Sequence, residues 1–130
     1  MEITANLLQT VAANANVLFT DTAARGKNCC SIVHRDGSGL VTLRGITNQC
    51  RARFKVTFGA NVALPAGATV APITLALATN GEAVGPATMI STPAAAEEFN
   101  NVSASVYLDV PSECCYTISV KNISEDDIDV

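Results

Sequence analysis

Aromatic residues are scarce in this sequence. They make up 5% of its 130 residues, and tryptophan is absent. Hydrophobic residues nevertheless reach 48%, so we expect a core of valine, isoleucine, leucine and alanine, which favours thin, closely packed sheets. The low aromatic content also argues against a receptor- or glycan-binding head, because such a head needs an exposed cluster of aromatic side chains.

Cations and long apolar runs are lacking as well. Eight Lys and Arg stand against twelve Asp and Glu, giving a net charge of −4, which argues against a surface for nucleic acid. No apolar run is long enough to cross a membrane, and residues 1–6 lack the features of a signal peptide. We therefore expect a chain made in the cytoplasm, with neither nucleic acid nor membrane as a partner.

The cysteines lack the spacing of a metal site. Zinc sites pair thiolates two residues apart and add a second such pair or histidines, whereas this chain has one histidine. Its five cysteines form two adjacent pairs and one single residue: Cys29, Cys30, Cys50, Cys114 and Cys115. They suit the role of small buried hydrophobic residues. A disulfide from the first pair or Cys50 to the second pair remains open.

The titratable residues form no catalytic pattern. Glu97–Glu98 and Asp126–Asp127 are adjacent in sequence, so their side chains diverge in extended structure instead of facing one substrate. His34 has no nucleophile-elbow glycines near it, and the acidic C-terminal segment lacks the spacing of a calcium loop. We expect no enzymatic activity, no catalytic residue, no cofactor and no metal.

Strict alternation marks the segment around which the chain is organised. From Cys50 to Phe58, apolar residues at even positions alternate with Arg51, Arg53, Lys55 and Thr57, the period of a half-buried strand. A Pro-Ala-Gly turn follows, then the apolar strand 73–79, which Asn80–Gly81 ends with a hairpin signal. Residues 99–110 alternate equally clearly.

Shorter strands recur about every ten residues, at 17–22, 30–35, 40–45 and 115–122. This spacing predicts an all-β sandwich of two antiparallel sheets. Residues 1–16 are expected to be an N-terminal segment, serving for attachment or as a first strand, before a domain spanning 17–130. A short helix over 7–15 is the alternative for that region, and 93–98 looks locally helical.

The chain reaches Val130 as a further strand begins after the acidic turn. In a sandwich, such an ending predicts a half-formed edge or an unfilled slot, which is a liability unless another chain covers it.

The order of strands and turns resembles a known family. Arg-x-Arg-Phe-x-Val-x-Phe, a Pro-x-Gly turn, Ile-x-Leu-Ala-Leu with Asn-Gly-Glu, Val-x-Ala-x-Val-x-Leu-Asp-Val-Pro and Thr-Ile-Ser-Val-Lys-Asn together resemble a tumour-necrosis-factor-like jelly roll. The pattern is similar to the C-terminal domain of bacterial collagen-like exosporium proteins and to short capsid-adjacent proteins of gut Firmicutes phages. The resemblance covers residues 7–120. It implies a compact homotrimer in which each jelly roll packs a sheet edge against the next.

Certain residue types suit a subunit interface. Aromatic anchors concentrate binding energy, and the candidates are Tyr107, Tyr116, Phe58 and Phe99, with core packing as the alternative for each. Arg51, Arg53 and Lys55 place three cations on one strand face. That face is either simply solvated or forms a row of salt bridges between subunits with acidic residues such as Glu97, Glu98 or Asp109.

We therefore expect a structural virion protein, a trimeric capsid decoration or head-fibre jelly roll on the surface of a phage particle. The major capsid protein or another virion protein would be its attachment partner. The alternatives are a receptor- or glycan-binding head and a bacterial surface or spore-coat knob, although the collagen-like repeat usual for a knob is not present in the sequence.

Overall fold

The alternating segments form the longest strands. The computed structural model describes residues 2–24, 31–45 and 50–130. The described residues form eleven strands: β1 (Glu2–Thr4), β2 (Thr10–Val11), β3 (Asp21–Ala24), β4 (Ile32–His34), β5 (Val41–Arg44), β6 (Arg51–Val62), β7 (Ile73–Thr79), β8 (Glu82–Ser91), β9 (Asn100–Pro111), β10 (Cys115–Asn122) and β11 (Ile128–Asp129).

The strands form two facing layers. One layer is a five-stranded antiparallel sheet in the order β4-β5-β10-β7-β8. Opposite it lies the long antiparallel β6–β9 ribbon, and β11 pairs with β2. β11 also touches the end of β6, because Ala63 and Asp129 exchange two backbone hydrogen bonds of 2.9 Å. β2, β11, β6 and β9 therefore lie side by side at this end, while β1 pairs separately with β3.

The antiparallel pairs are nested in sequence. β7 pairs with β8, β6 with β9, β5 with β10, and β2 with β11. A chain folded back on itself as a ribbon and wrapped into two layers gives this nesting, which makes the sandwich jelly-roll-like. The predicted all-β sandwich is confirmed.

The core lies between the layers. Its larger cluster joins the inner residues of β7 and β10 to those of β6 and β9, including Leu75, Val120, Phe58 and Val102. A smaller cluster at the other end contains Val41, Leu43, Val110 and Ile118. As predicted, the inner residues of β6 and β9 are apolar and the opposite face is exposed, since successive strand residues point to opposite sides.

The predicted hairpin at Asn80–Gly81 is also confirmed. It joins β7 to β8, and both of its central residues have positive φ, 52° at Asn80 and 87° at Gly81. Two such residues in a two-residue loop define a type I′ turn, whose twist matches that of the flanking strands.

The helix weighed as the alternative over 7–15 is not formed, because a turn at Asn14 (φ 63°) directs its N–H to the carbonyl of Asn122 at 2.8 Å. Two local expectations were wrong. Residues 93–98 form turns, with Glu97 at φ 64°. The strand expected at 17–22 begins only at Asp21, and ahead of it the N–H of Val17 donates to the carbonyl of Val120 at 2.8 Å, beside the isolated bridge from Asn16 to Lys121.

Candidate interaction surface on the β6–β9 ribbon

The outer face of the ribbon consists of side chains at odd positions of both strands. The Ser112 N–H donates to the Cys50 carbonyl at 3.0 Å, which continues the register of the ribbon and identifies its hydrogen-bonded pairs. Even-numbered β6 residues therefore bond to β9, and odd-numbered residues form the closer, non-hydrogen-bonded pairs. This explains why side chains meet so closely across the outer face.

An ion-paired group occupies one end of this face. Arg53 lies directly opposite Asp109, and its Nε and Nη2 donate to the two carboxylate oxygens at 2.8 and 3.3 Å. Arg51 Nη1 is 3.4 Å from the same carboxylate. The hydrogen bond from Arg53 lowers the pKa of Asp109, and the same bond raises that of Arg53. Asp109, suggested as a partner between subunits, is thus engaged within its own chain.

Further pairs continue the row along the ribbon. The ammonium of Lys55 lies 5.9 Å from the ring centroid of Tyr107, directly opposite, at the distance of a cation–π contact. The hydroxyls of Thr57 and Ser105 are 3.1 Å apart, and the side chain of Asn101 donates to that of Asn61 at 3.3 Å. The outer face is therefore an ordered polar surface with one aromatic side chain in its centre.

The predicted aromatic candidates divide between this face and the interior. Tyr107 is 65% exposed and belongs to the face. Phe58 is 8% exposed, packs in the larger core cluster and meets Phe19 edge-to-face at 6.3 Å. Tyr116 is half-buried on β10 against the smaller cluster, and Phe99 is half-exposed just before β9. Of the four, Tyr107 alone lies on the same face as Arg51 and Arg53.

Two openings follow the outer edge of β6. One is a cavity of about 180 Å³ between the layers, lined by consecutive residues 54–58 and by apolar side chains including Ile32, Val41 and Ile118. The other is a concavity of about 540 Å³ between residues 3–8 and residues 57–61. Both openings lie beside β6. The sequence patterns did not predict which residues line these openings. The adjacent leucines Leu7 and Leu8, which line the larger opening, were the one sequence feature that could have indicated it.

His34 ties two loops to the sheet. It is buried, and its Nε2 is 3.1 Å from the backbone carbonyl of Ser38, so this nitrogen carries hydrogen and donates. Its Nδ1 lies 2.9 Å from the hydroxyl of Thr22, which donates to Asp36. The Ser38 hydroxyl accepts from the Leu40 N–H. The hydrogen-bond partners of His34 are thus a threonine hydroxyl and a backbone carbonyl, and not a serine hydroxyl.

The expectation that the cysteines are buried was wrong for those that the structure describes. Cys50 and Cys115 are exposed and Cys114 is half-buried, and all three are free thiols. They lie where the ends of β6, β9 and β10 meet solvent, so alternation alone misplaced Cys50 inside. Cys29 and Cys30 lie outside the described residues, and the disulfide question stays a prediction.

Across residues 2–24, 31–45 and 50–130, no group of three or more His, Cys, Asp or Glu side chains is arranged to hold a metal ion. The same ranges contain no helix that is long and apolar enough to span a bilayer. Comparison with protein-family models and with curated proteins gives no match to this chain.

Proposed function

We propose that this chain is a non-enzymatic structural protein that assembles as a homotrimer on the surface of a phage particle, as a capsid decoration or head fibre. The observation that carries the proposal is the outer face of the β6–β9 ribbon. Tyr107 is exposed there in the middle of an ordered row of paired polar side chains.

Such a face suits contact with another subunit. Tyrosine and arginine are the residue types most often found at the centre of interfaces. The side chains of Arg53, Lys55 and Tyr107 are already held by partners within the chain, so their ordering on association costs less conformational entropy.

The virion location and the three-fold symmetry come from the resemblance of the strand and turn pattern to tumour-necrosis-factor-like jelly rolls. The nested, jelly-roll-like strand pairing agrees with that resemblance. A sandwich with one polar, ordered face and one open strand edge also suits a building block that meets several neighbours.

Immunogold electron microscopy of phage particles tests the location. Antibodies raised against the purified chain are expected to label the outside of intact particles from a culture in which the chain is produced during phage growth. Particles that stay unlabelled, with the chain left in the supernatant after sedimentation, would contradict the proposal. Antibodies absorbed with the purified chain provide the control for nonspecific labelling.

A further inference from the structure

The outer edge of β6 presents a row of backbone groups that no described residue pairs between Arg51 and Asn61. Because even-numbered β6 residues bond to β9, the N–H and C=O groups of the odd-numbered residues point away from it. At Ala63, the outward N–H and C=O groups are hydrogen-bonded to the backbone of Asp129 in β11. From Arg51 to Asn61, the described part of the chain supplies no backbone partner for them.

The space beside this edge has the width of one strand. β11 bonds to β2 through Val130 and Gln9 on one side, and to Ala63 on the other. Because β11 lies between them, β2 and the end of β6 are about 10 Å apart there, twice the usual spacing of neighbouring strands. Further along β6 lies the concavity between residues 3–8 and 57–61, and beside residues 54–58 lies the smaller cavity; Ile3, Phe19, Thr57 and Phe58 line both.

We propose that this slot accepts an extended strand of another protein, which pairs antiparallel with β6 in line with β11. Unpaired edges bind peptides in this way, with backbone bonds giving affinity and the alternate side chains giving specificity. The proposal goes beyond the homotrimer and does not require it, because residues 2–24, 31–45 and 50–130 of a single subunit leave the edge of β6 open.

The inward side chains of the partner strand are apolar. They would meet a lining that includes Ile3, Phe19, Phe54 and Phe58, and they would cover the exposed Leu7 and Leu8, which line or flank the same openings. Burial of this apolar lining is the main source of binding free energy.

The outward side chains of the partner strand are acidic. They would stand beside Arg51, Arg53 and Lys55, the outward residues of β6. Within the described ranges Arg51 and Arg53 share the carboxylate of Asp109, and Lys55 contacts the ring of Tyr107 instead of a carboxylate, so positive charge remains for a partner although the whole chain is at −4. Opposite charges on neighbouring strands stabilise a pair, and like charges weaken it.

A labelled peptide of about ten residues that alternates valine and glutamate is the probe, with an alternating valine and lysine peptide as its matched control. Fluorescence anisotropy with the full chain is expected to give at least about tenfold tighter binding of the glutamate peptide at low salt. The Lys55→Glu variant is expected to reduce that preference. Equal affinity for the two peptides, or no binding of either, would overturn the proposal.

Amide hydrogen exchange locates the bound strand. In the chain alone, the amides of Arg53, Lys55 and Thr57 are expected to exchange faster than those of Phe54 and Val56, which bond to β9. The glutamate peptide is expected to slow the first set. Outward amides that are already slow in the free protein would mean that a second copy covers the edge, and would overturn the proposal.

Gly59 offers a matched pair of variants. Its N–H points outward, and a Cβ placed there would meet nothing closer than the Val102 carbonyl at 4.0 Å. Gly59→Pro removes one edge donor and obstructs the slot, a change that edge strands tolerate, and is expected to weaken peptide binding at least about tenfold, while Gly59→Ala retains it. Equal binding by the two variants would overturn the proposal. If Gly59→Pro fails to fold by circular dichroism, the exchange pattern of the unmodified chain decides.

Discussion

At the scale of single residues, Asn122 is a polar side chain whose amide group is buried and hydrogen-bonded. It is 0% exposed. Its Nδ2 donates to the carbonyls of Val11, Ala12 and Asp126 at 3.0 to 3.3 Å, and its Oδ1 accepts from the Ser124 N–H at 2.9 Å. One side chain therefore joins β2, the end of β10 and the turn before β11.

Asn122→Ala is expected to lower the free energy of unfolding by about 2–4 kcal/mol, because it leaves several buried backbone groups without partners. Asn101→Ala is the matched control, since it removes an asparagine from the exposed face and is expected to cost about 0.5 kcal/mol or less. Urea denaturation of both variants provides the measurement. Similar losses in the two variants would contradict the role assigned to Asn122.

Asp109 links stability to pH. Its pKa in the folded chain lies below the ordinary value of 3.8 because Arg53 donates to the carboxylate. The stabilisation is therefore present above that value and is lost as pH falls through the lower folded pKa. Asp109→Asn is expected to melt at a slightly lower temperature than the unmodified chain at pH 7, and the difference should shrink in acid. A difference in melting temperature that is constant from pH 7 to about pH 2 would contradict this account.

At the scale of elements, the β7–β8 hairpin depends on its glycine. Gly81 has φ 87° and open space around the position of a Cβ, so Gly81→Ala tests backbone strain alone. It is expected to cost about 1 kcal/mol, because a left-handed conformation is unfavourable for alanine. Gly85→Ala, also in open space but without positive φ, is expected to change stability by no more than about 0.5 kcal/mol. Thermal melts of both variants give the comparison, and equal effects would contradict the strain argument.

Alternation in the sequence predicted the two longest strands. β6 and β9 each carry a period-two pattern, and such a pattern specifies both the strand and its buried face. The same pattern placed Arg51, Arg53 and Tyr107 outside. β7 was predicted from an apolar run instead, and its residues are largely buried on both faces.

Short elements and pairing partners were not predictable in this way. β2 and β11 have two residues each, and they exist because distant backbone groups bond to each other. The slot beside β6 depends on this long-range pairing of β2 with β11, and no local sequence pattern predicts such pairing. The alternative of a helix over 7–15 is not realised for the same reason, since the helical spacing of Leu7, Leu8 and Val11 is outweighed by backbone bonds to the end of β10 and to Val130, next to β11.

At the scale of the whole molecule, the exposed ribbon face determines the expected assembly. Tyr107→Asp is expected to dissociate the proposed trimer at micromolar concentration, because it puts a second carboxylate beside Asp109 and removes the central aromatic anchor. Ile90→Asp is the matched control: Ile90 is 67% exposed on β8, in the opposite layer, and its replacement is expected to leave the assembly intact. Sedimentation velocity of the two variants distinguishes them, and equal effects would exclude the ribbon face as the interface.

The most direct test of the account is the mass of the unmodified chain in solution, measured by light scattering after size exclusion, with and without reductant. A homotrimer would give three times the 13.5 kDa of the chain, unchanged by reductant. A stable monomer would contradict the homotrimer, and a mass that falls on reduction would assign assembly to the cysteines instead of the ribbon face.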